Sequence, residues 1–214
     1  MTPEPRISKL QIIRKRSGQR VVVELDNGEA IEIDPEIAVR HHLASDTAIS
    51  GELIEQLRQE DERLRARRRL IGYLSLRVKS VADARLYLER AGFGESAVTA
   101  AIEHATERGL LDDRRFAERF VRTKIKAAAV GPVRLVHELI AHGIEPLLAE
   151  QVIEKEFGRD KQIEVARKVA AKRIKRRLGK NHRDEVETVF DLLMRKGFDK
   201  DVAAEVAERA TGWD

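Results

Sequence analysis

The chain has no cysteine. That absence removes disulfides, thiolate catalysis and Cys-based zinc sites together, and it fits a reducing compartment. Aromatic residues make up only 4% of the 214 positions, which argues against a base-stacking platform built on Phe, Tyr and Trp. No apolar run approaches the about 18 residues of a membrane span. None follows Met1-Thr2-Pro3-Glu4-Pro5-Arg6 in the manner of a signal peptide. A soluble, cytoplasmic protein without a membrane segment is therefore expected. Phosphate loops of the Gly-x-x-x-x-Gly-Lys-Ser/Thr type, Gly-x-Ser-x-Gly elbows and His-Glu-x-x-His pairs are missing too. His41-His42 and His137-Glu138 have no partner at metal-ligand spacing. No catalytic residue, cofactor or metal site is expected, and so no enzyme.

What the chain does contain is charge: 41 Lys and Arg against 37 Asp and Glu, 36% of all residues, for a net of only +4. With 42% apolar residues it is not a disordered chain. Arg, Lys and Glu beside Ala and Leu are what helices carry on exposed faces. The one strand region is 7–33. Ile7, Leu10, Ile12 and Ile13 precede Arg14-Lys15-Arg16-Ser17-Gly18, then Val21-Val22-Val23-Glu24-Leu25, Asp26-Asn27-Gly28-Glu29 and Ala30-Ile31-Glu32-Ile33. Asn-Gly between alternating apolar residues predicts a hairpin with a type I′ turn, hence a meander of two or three antiparallel strands. Beyond Pro35 no strand is expected. Ser50 is placed to cap a short helix through Leu53, Ile54 and Leu57, leading to a basic helix from near Glu60.

The remainder repeats itself. Leu88-Glu89-Arg90-Ala91-Gly92-Phe93, Leu139-Ile140-Ala141-His142-Gly143-Ile144 and Leu193-Met194-Arg195-Lys196-Gly197-Phe198 each place Gly four residues after a Leu and a large apolar residue after the Gly. The glycines are 51 and 54 residues apart. Each is a helix stop, where Gly takes the left-handed conformation cheaply. Ser80 with Asp83, and Gly131 with Pro132, supply starts for the first two helices, and the third starts near Asn181. Phe93 with Val98, Ile144 with Ala149 and Phe198 with Ala203 fall at hydrophobic-staple spacing across the next cap. A further helix precedes each pair, at about 62–78, 112–128 and 160–178, the second capped by Asp112. Asp112-Asp113 is thus a cap and a helix-dipole partner, not a metal pair.

The predicted fold is mainly α. Tandem three-helix repeat modules form a curved, elongated array, preceded by a small N-terminal antiparallel β-meander. The segments are 1–59 for the meander plus short helix, then modules 60–109, 110–157 and 158–214. The repeated Gly, Leu and Phe positions build the modules, leaving function to their outer faces.

Leu74-Ser75-Leu76-Arg77-Val78-Lys79-Ser80 running to Ala91-Gly92-Phe93, then Gly109-Leu110-Leu111-Asp112-Asp113-Arg114-Arg115-Phe116-Ala117, then Gly131 through Glu138-Leu139 to Gly143-Ile144, resembles the RecX family. The resemblance covers about residues 60–214. It implies a bacterial regulator of the RecA recombinase that has no chemistry of its own. Such a protein binds the groove of the RecA–single-stranded-DNA filament across neighbouring protomers and suppresses ATPase, strand exchange and coprotease activity. Implied partners are the RecA filament and DNA, single-stranded first and double-stranded second. A monomer is expected.

Two basic faces are the candidates for that contact. Residues 161–183 hold ten Lys or Arg and one acid. At 100° per residue, Ile163, Ala166, Ala170 and Ile174 share one side of a helix, with Lys161, Lys168, Lys172 and Lys175 opposite and Arg176 flanking. Around residues 62–78, Leu64, Ile71, Leu74 and Val78 form the expected buried stripe. Arg65, Arg68 and Arg69 point away from it, while Arg67 snorkels at the edge. Each basic face reads as a phosphate-tracking surface or an acidic-protein contact, or as an ordinary solvated helix face. A helix-turn-helix DNA binder and a helical-repeat adaptor for another protein are the alternatives in function. Helix 94–108, mostly Ala, Glu, Thr and Ser, lacks the residues of a recognition helix.

Overall fold

The computed structural model describes residues 4–15, 18–174 and 182–210. Three strands, β1 (Ile7–Lys15), β2 (Gly18–Leu25) and β3 (Ala30–Ile33), form one antiparallel sheet in the order β1-β2-β3. Alternation puts Val21, Val23 and Leu25 of β2, and Ile31 and Ile33 of β3, on the buried face. The Asn27-Gly28 hairpin forms, but not with the expected type I′ turn. Only Gly28 has positive φ (87°), and Leu25 N–H donates to the Glu29 carbonyl at 2.8 Å while Gly28 N–H donates to that of Leu25 at 3.1 Å. One glycine at positive φ suffices for this longer loop.

Helix α1 (Pro35–Arg40) was not foreseen. Asp34 caps it by accepting from Glu36 N–H, and Pro35 opens it. Next comes α2 (Gly51–Leu74), 24 residues capped by Ser50. The two helices expected here are therefore one. Its buried residues are Ile54, Leu57, Asp61, Ala66 and Leu70, whereas Ile71 of the expected stripe is 46% exposed. The phase differs because the helix serves two partners: its first half covers the sheet core, with Ile54 and Leu57, and α4 (Glu95–Glu107) packs along it as well.

After α3 (Val81–Arg90) and α4 follow α5 (Asp113–Ala128), α6 (Pro132–Ala141), α7 (Pro146–Glu156), α8 (Arg159–Ile174), α9 (His182–Arg195) and α10 (Lys200–Ala210). Asn181, the expected start of the ninth helix, lies outside the described residues. The fold is the predicted one in class: mainly α, in three-helix repeats, behind a small antiparallel sheet.

The repeated stop signal has one geometry in all three places. Gly92, Gly143 and Gly197 all have positive φ. The N–H of Phe93, Ile144 and Phe198 reaches back to the carbonyl of Leu88, Leu139 and Leu193 at 3.3, 3.1 and 3.1 Å. The glycine N–H of each bonds one residue further on, to Glu89, Ile140 and Met194. This is the Schellman pairing, and it satisfies carbonyls that the helix end leaves orphaned. The three leucines are fully buried, as are Val98, Ala149 and Ala203 at the far end of each staple.

Two compact units emerge. The first comprises the described residues up to Arg77 together with Ala84–Leu110; the second comprises Val78–Asp83 and the described residues from Leu111 on. The core of the first gathers Ile7, Val23, Ile33, Ile37, Ile49 and Leu57. That of the second is larger, running from Phe116 and Leu135 through Phe157 to Phe198 and Val206.

Within the second unit helix ends dock on helix starts. Ser80 Oγ accepts from Asp83 N–H at 3.0 Å and donates to the His142 carbonyl at 2.7 Å. Asp83 does not close a reciprocal capping box; its carboxylate meets His142 Nδ1 at 3.0 Å instead. The same relation recurs between α6 and α9, this time through glycine: Gly131 N–H donates to the Lys196 carbonyl at 2.8 Å, and Val133 N–H to that of Gly197 at 3.1 Å. A Cβ on Gly131 would stand 2.1 Å from the Gly197 carbonyl carbon. Only a residue without a side chain permits that approach.

Candidate nucleic-acid interface

Arg65, Arg68 and Arg69 ride on α2, where helical spacing turns them away from Ala66 and Leu70. All three line one open cleft of about 1060 Å³ in the first unit, shared with Lys15, Arg20 and the end of α3. Two of the three are committed to carboxylates. Arg68 pairs with Asp34, and its Nη2 lies 3.6 Å from Glu36. Arg65 lies 3.5 Å from Asp61, with its guanidinium 5.8 Å from the Phe93 ring centre. Arg69 has no carboxylate partner among the described residues and sits 5.5 Å from the centre of the Tyr87 ring. Arg67 is half-buried, as a snorkelling residue would be, with an Nε that finds no hydrogen-bond partner among the described residues.

Behind this cleft lies a buried ion pair. Arg20, 7% exposed, grips both oxygens of Asp61 at 2.7 Å and Glu32 Oε1 at 3.0 Å. Asp61 also accepts from the Asp34 backbone N–H at 2.8 Å. Hydrogen bonding to Asp61 holds Arg20 charged above the ordinary arginine value. The Lys15 ammonium, then Arg20, hold the Glu32 carboxyl below the usual range. These charges join β2 and β3 to α2.

On α8 the predicted division between faces holds. Val165, Ala166, Val169 and Ala170 are buried; Ile163 and Ile174 are half-buried; Lys161, Lys168 and Lys172 are exposed. Lys161 donates to the Glu156 carbonyl at 3.0 Å and Lys168 to Glu164 at 2.5 Å, and Lys172 has no partner among the described residues. Lys175 and Arg176 lie outside the described residues.

Sequence reasoning missed the face of α5. Arg115, Arg119, Arg122 and Lys126, at steps of four, three and four, line one shallow groove of about 540 Å³ with Val78, Glu118 and Thr123. Arg122 is held by Glu156, at 2.7 and 2.6 Å through Nε and Nη2. That hydrogen bonding pulls the Glu156 carboxyl below the usual range. Arg115, Arg119 and Lys126 are exposed and make no ion pair among the described residues. The spacing was visible in the sequence, but Asp112, Asp113 and Glu118 diluted the local charge. Asp112 caps α5 through Arg115 N–H at 3.0 Å. Asp113 does more than meet its own helix dipole, accepting from Val81 N–H at the start of α3 at 2.9 Å; burial pushes its carboxyl up. Among the described residues no three His, Asp or Glu side chains are placed to hold a metal ion.

Comparison with known proteins supplies relatives. Residues 112–153 match the family model described as RecX, second three-helix domain. A regulatory protein RecX of Listeria monocytogenes serotype 4a (strain HCC23) is 27% identical over 199 residues, 93% of this chain and 74% of that protein. Another, of Geobacillus kaustophilus (strain HTA426), is 29% identical over 188 residues, 87% of this chain and 70% of that protein. A crystal structure of regulatory protein RecX superposes with a TM-score of 0.74 at 24% identity, covering 95% of this chain and 99% of the other. RecX from Lactobacillus salivarius gives 0.67 at 21%, covering 71% and 97%. These last two establish likeness of fold. With residues 112–153 matched to that domain and the likeness to regulatory proteins RecX running over nearly the whole chain, the protein is similar to the RecX family along its length.

Proposed function

We propose that this protein regulates the RecA recombinase, chiefly as an inhibitor that binds the RecA–single-stranded-DNA filament and suppresses ATPase, strand exchange and coprotease activity. It acts in the cytoplasm, as a monomer, by binding and without catalysis. Modules 60–109, 110–157 and 158–214 divide the contact between them, over the faces of α2 (Arg65, Arg68, Arg69), α5 and α8 (Lys161, Lys168, Lys172, with Lys175 and Arg176 beyond). The observation that carries this reading is the α5 face: three exposed cations with no carboxylate partner among the described residues, on a helix inside the segment that matches the RecX domain. Cations not already neutralised by their own chain are the ones free to displace counterions from a phosphate backbone or meet an acidic protein surface.

The test is DNA-dependent ATP hydrolysis by the cognate RecA on single-stranded DNA, with this protein titrated in. Hydrolysis is expected to fall well below one molecule per protomer and to stay suppressed when DNA is in excess. Unchanged hydrolysis, or inhibition abolished by adding free DNA, would overturn the reading.

A further inference from the structure

The turn between β2 and β3 carries chemistry of its own. Residues 26–30 are all exposed, and Asn27 precedes the one residue type that puts no side chain in front of its own amide nitrogen. Gly28 stands at φ 87°, with nothing within 4 Å of where a Cβ would be. The Asn27 side chain folds over the turn, its Oδ1 accepting from Glu29 N–H at 2.9 Å. That bond draws electron density from Cγ. It also sets a backbone donor where negative charge develops on Oδ1 once a nucleophile adds to the amide, the arrangement by which fixed N–H groups favour acyl transfer. The nucleophile is the next backbone nitrogen in the chain, that of Gly28, whose attack on Cγ closes a five-membered ring.

We propose that Asn27 is a site of spontaneous modification in the folded chain, converting to aspartyl and isoaspartyl residues. Hydroxide takes the Gly28 amide proton, and the nitrogen bonds to Cγ. The Cγ–Nδ2 bond then breaks, and the side-chain nitrogen leaves as ammonia with a proton from water, which restores the hydroxide. The cyclic imide adds one water. Opening at Cγ gives aspartate; opening at the main-chain carbonyl gives isoaspartate, whose backbone runs through Cβ and Cγ. One contact opposes the step: Gly28 N–H donates to the Leu25 carbonyl at 3.1 Å and must be freed first. A single backbone hydrogen bond is worth about a tenfold factor net, and an exposed turn opens locally without global unfolding. The bond slows the reaction and does not stop it.

Both products add a carboxylate between Asp26 and Glu29, and isoaspartate lengthens the main chain inside the loop that Leu25 N–H closes on the Glu29 carbonyl at 2.8 Å. The disturbance stays in the turn, because β3 is held separately: Glu32 by Arg20 and the Asp34 N–H by Asp61. The turn thus records the age of the molecule in its charge. Its isoaspartyl form presents a free α-carboxylate, the chemical class esterified by repair methyltransferases with S-adenosylmethionine as methyl donor. This goes beyond regulation of RecA and does not depend on it.

The experiment incubates the full folded chain at neutral and mildly alkaline pH, then separates the Asn, Asp and isoAsp peptides by proteolysis and mass spectrometry. Asn27 should convert with first-order kinetics, about tenfold faster per pH unit because the reacting species is the deprotonated amide. The aged protein should accept labelled methyl groups from S-adenosylmethionine when a protein isoaspartyl methyltransferase is added, and Asn27→Ser should remove most of that labelling. Asn181, followed by His182 and not by glycine, should convert far more slowly. In the aged form, amide exchange should speed up at Leu25 and Gly28 and stay slow at Asp34. An Asn27 amide that survives in the folded chain over the time in which the urea-unfolded chain loses it would overturn the proposal, the turn then being a shield. Labelling undiminished in Asn27→Ser would overturn it as well. Because RecA is absent from every arm, failure here leaves the regulatory reading untouched, and loss of that reading leaves this one standing.

Discussion

The two units differ in where their arginine ties lie, buried in the first and exposed in the second. In the first, Arg20 is buried and bidentate on Asp61, and Arg68 reaches back to Asp34. These cations hold sheet to helix. In the second, the arginines that tie elements together, Arg122 to Glu156 and Arg159 to Glu205, are exposed; Arg115, Arg119 and Lys126 stand on α5 with no carboxylate among the described residues, and backbone joins α6 to α9, with Gly131 and Gly197 in close approach. The lesson concerns how a charge run is read. Three arginines on α2 and four cations on α5 look alike as counts, and only their partners separate a structural tie from a surface left open for another molecule.

The sharpest way to break the contrast is to remove the buried tie. Arg20→Met strips the buried Asp61 carboxylate of its bidentate partner, leaving only Arg65 at 3.5 Å, and should cost about 3–5 kcal/mol, measured by urea unfolding. Replacing both partners, Arg20→Met with Asp61→Leu, should recover much of that, since paired removal leaves no uncompensated charge. A loss under about 1 kcal/mol for the single variant would put Arg20 in the class of exposed surface pairs and erase the distinction.

The backbone tie of the second unit should give the next largest effect. Gly131→Ala places a methyl 2.1 Å from main-chain carbon, where no side-chain rotation relieves it. A cost of about 1–3 kcal/mol is expected, seen as a lower melting temperature. Gly72→Ala, with open space around its Cβ, serves as the control and should be neutral or slightly stabilising, as Ala is in an exposed helix. Equal melting temperatures for the two variants would mean that the repeat glycines do not hold α6 to α9.

Local signals were legible in the sequence wherever one residue type does a job no other does cheaply. The Gly-Phe and Gly-Ile stops, the Ser50 and Asp112 caps and the apolar face of α8 all stand where spacing placed them. Signals that depend on a distant partner were not legible. Nothing in Arg20 or Asp61 announces that residues 41 positions apart share a buried ion pair. That pair admits a carboxylate to the inner face of α2, and the expected stripe through Ile71 missed it. The gathering of Tyr73, Tyr87 and Phe93 around one cleft is likewise a product of packing. The α5 stripe differs in that its period was there to be read, hidden by neighbouring acids.

The smallest effect on stability should come from that stripe, and this is what makes it informative. Arg119 is exposed and makes no ion pair among the described residues, so Arg119→Glu should change unfolding free energy by no more than about 0.5 kcal/mol. Arg68→Glu, by contrast, sets a carboxylate against Asp34 and Glu36 and should destabilise the first unit. If α5 meets a phosphate backbone or an acidic filament surface, the reversal should weaken RecA inhibition and lower the salt dependence of binding by about one counterion. Stability and binding would then separate cleanly, binding lost at Arg119 with the fold intact and stability lowered at Arg68. An Arg119→Glu protein that inhibits as wild type, with an unchanged salt slope, would make the α5 face a solvated helix surface and move the contact to α2 and α8.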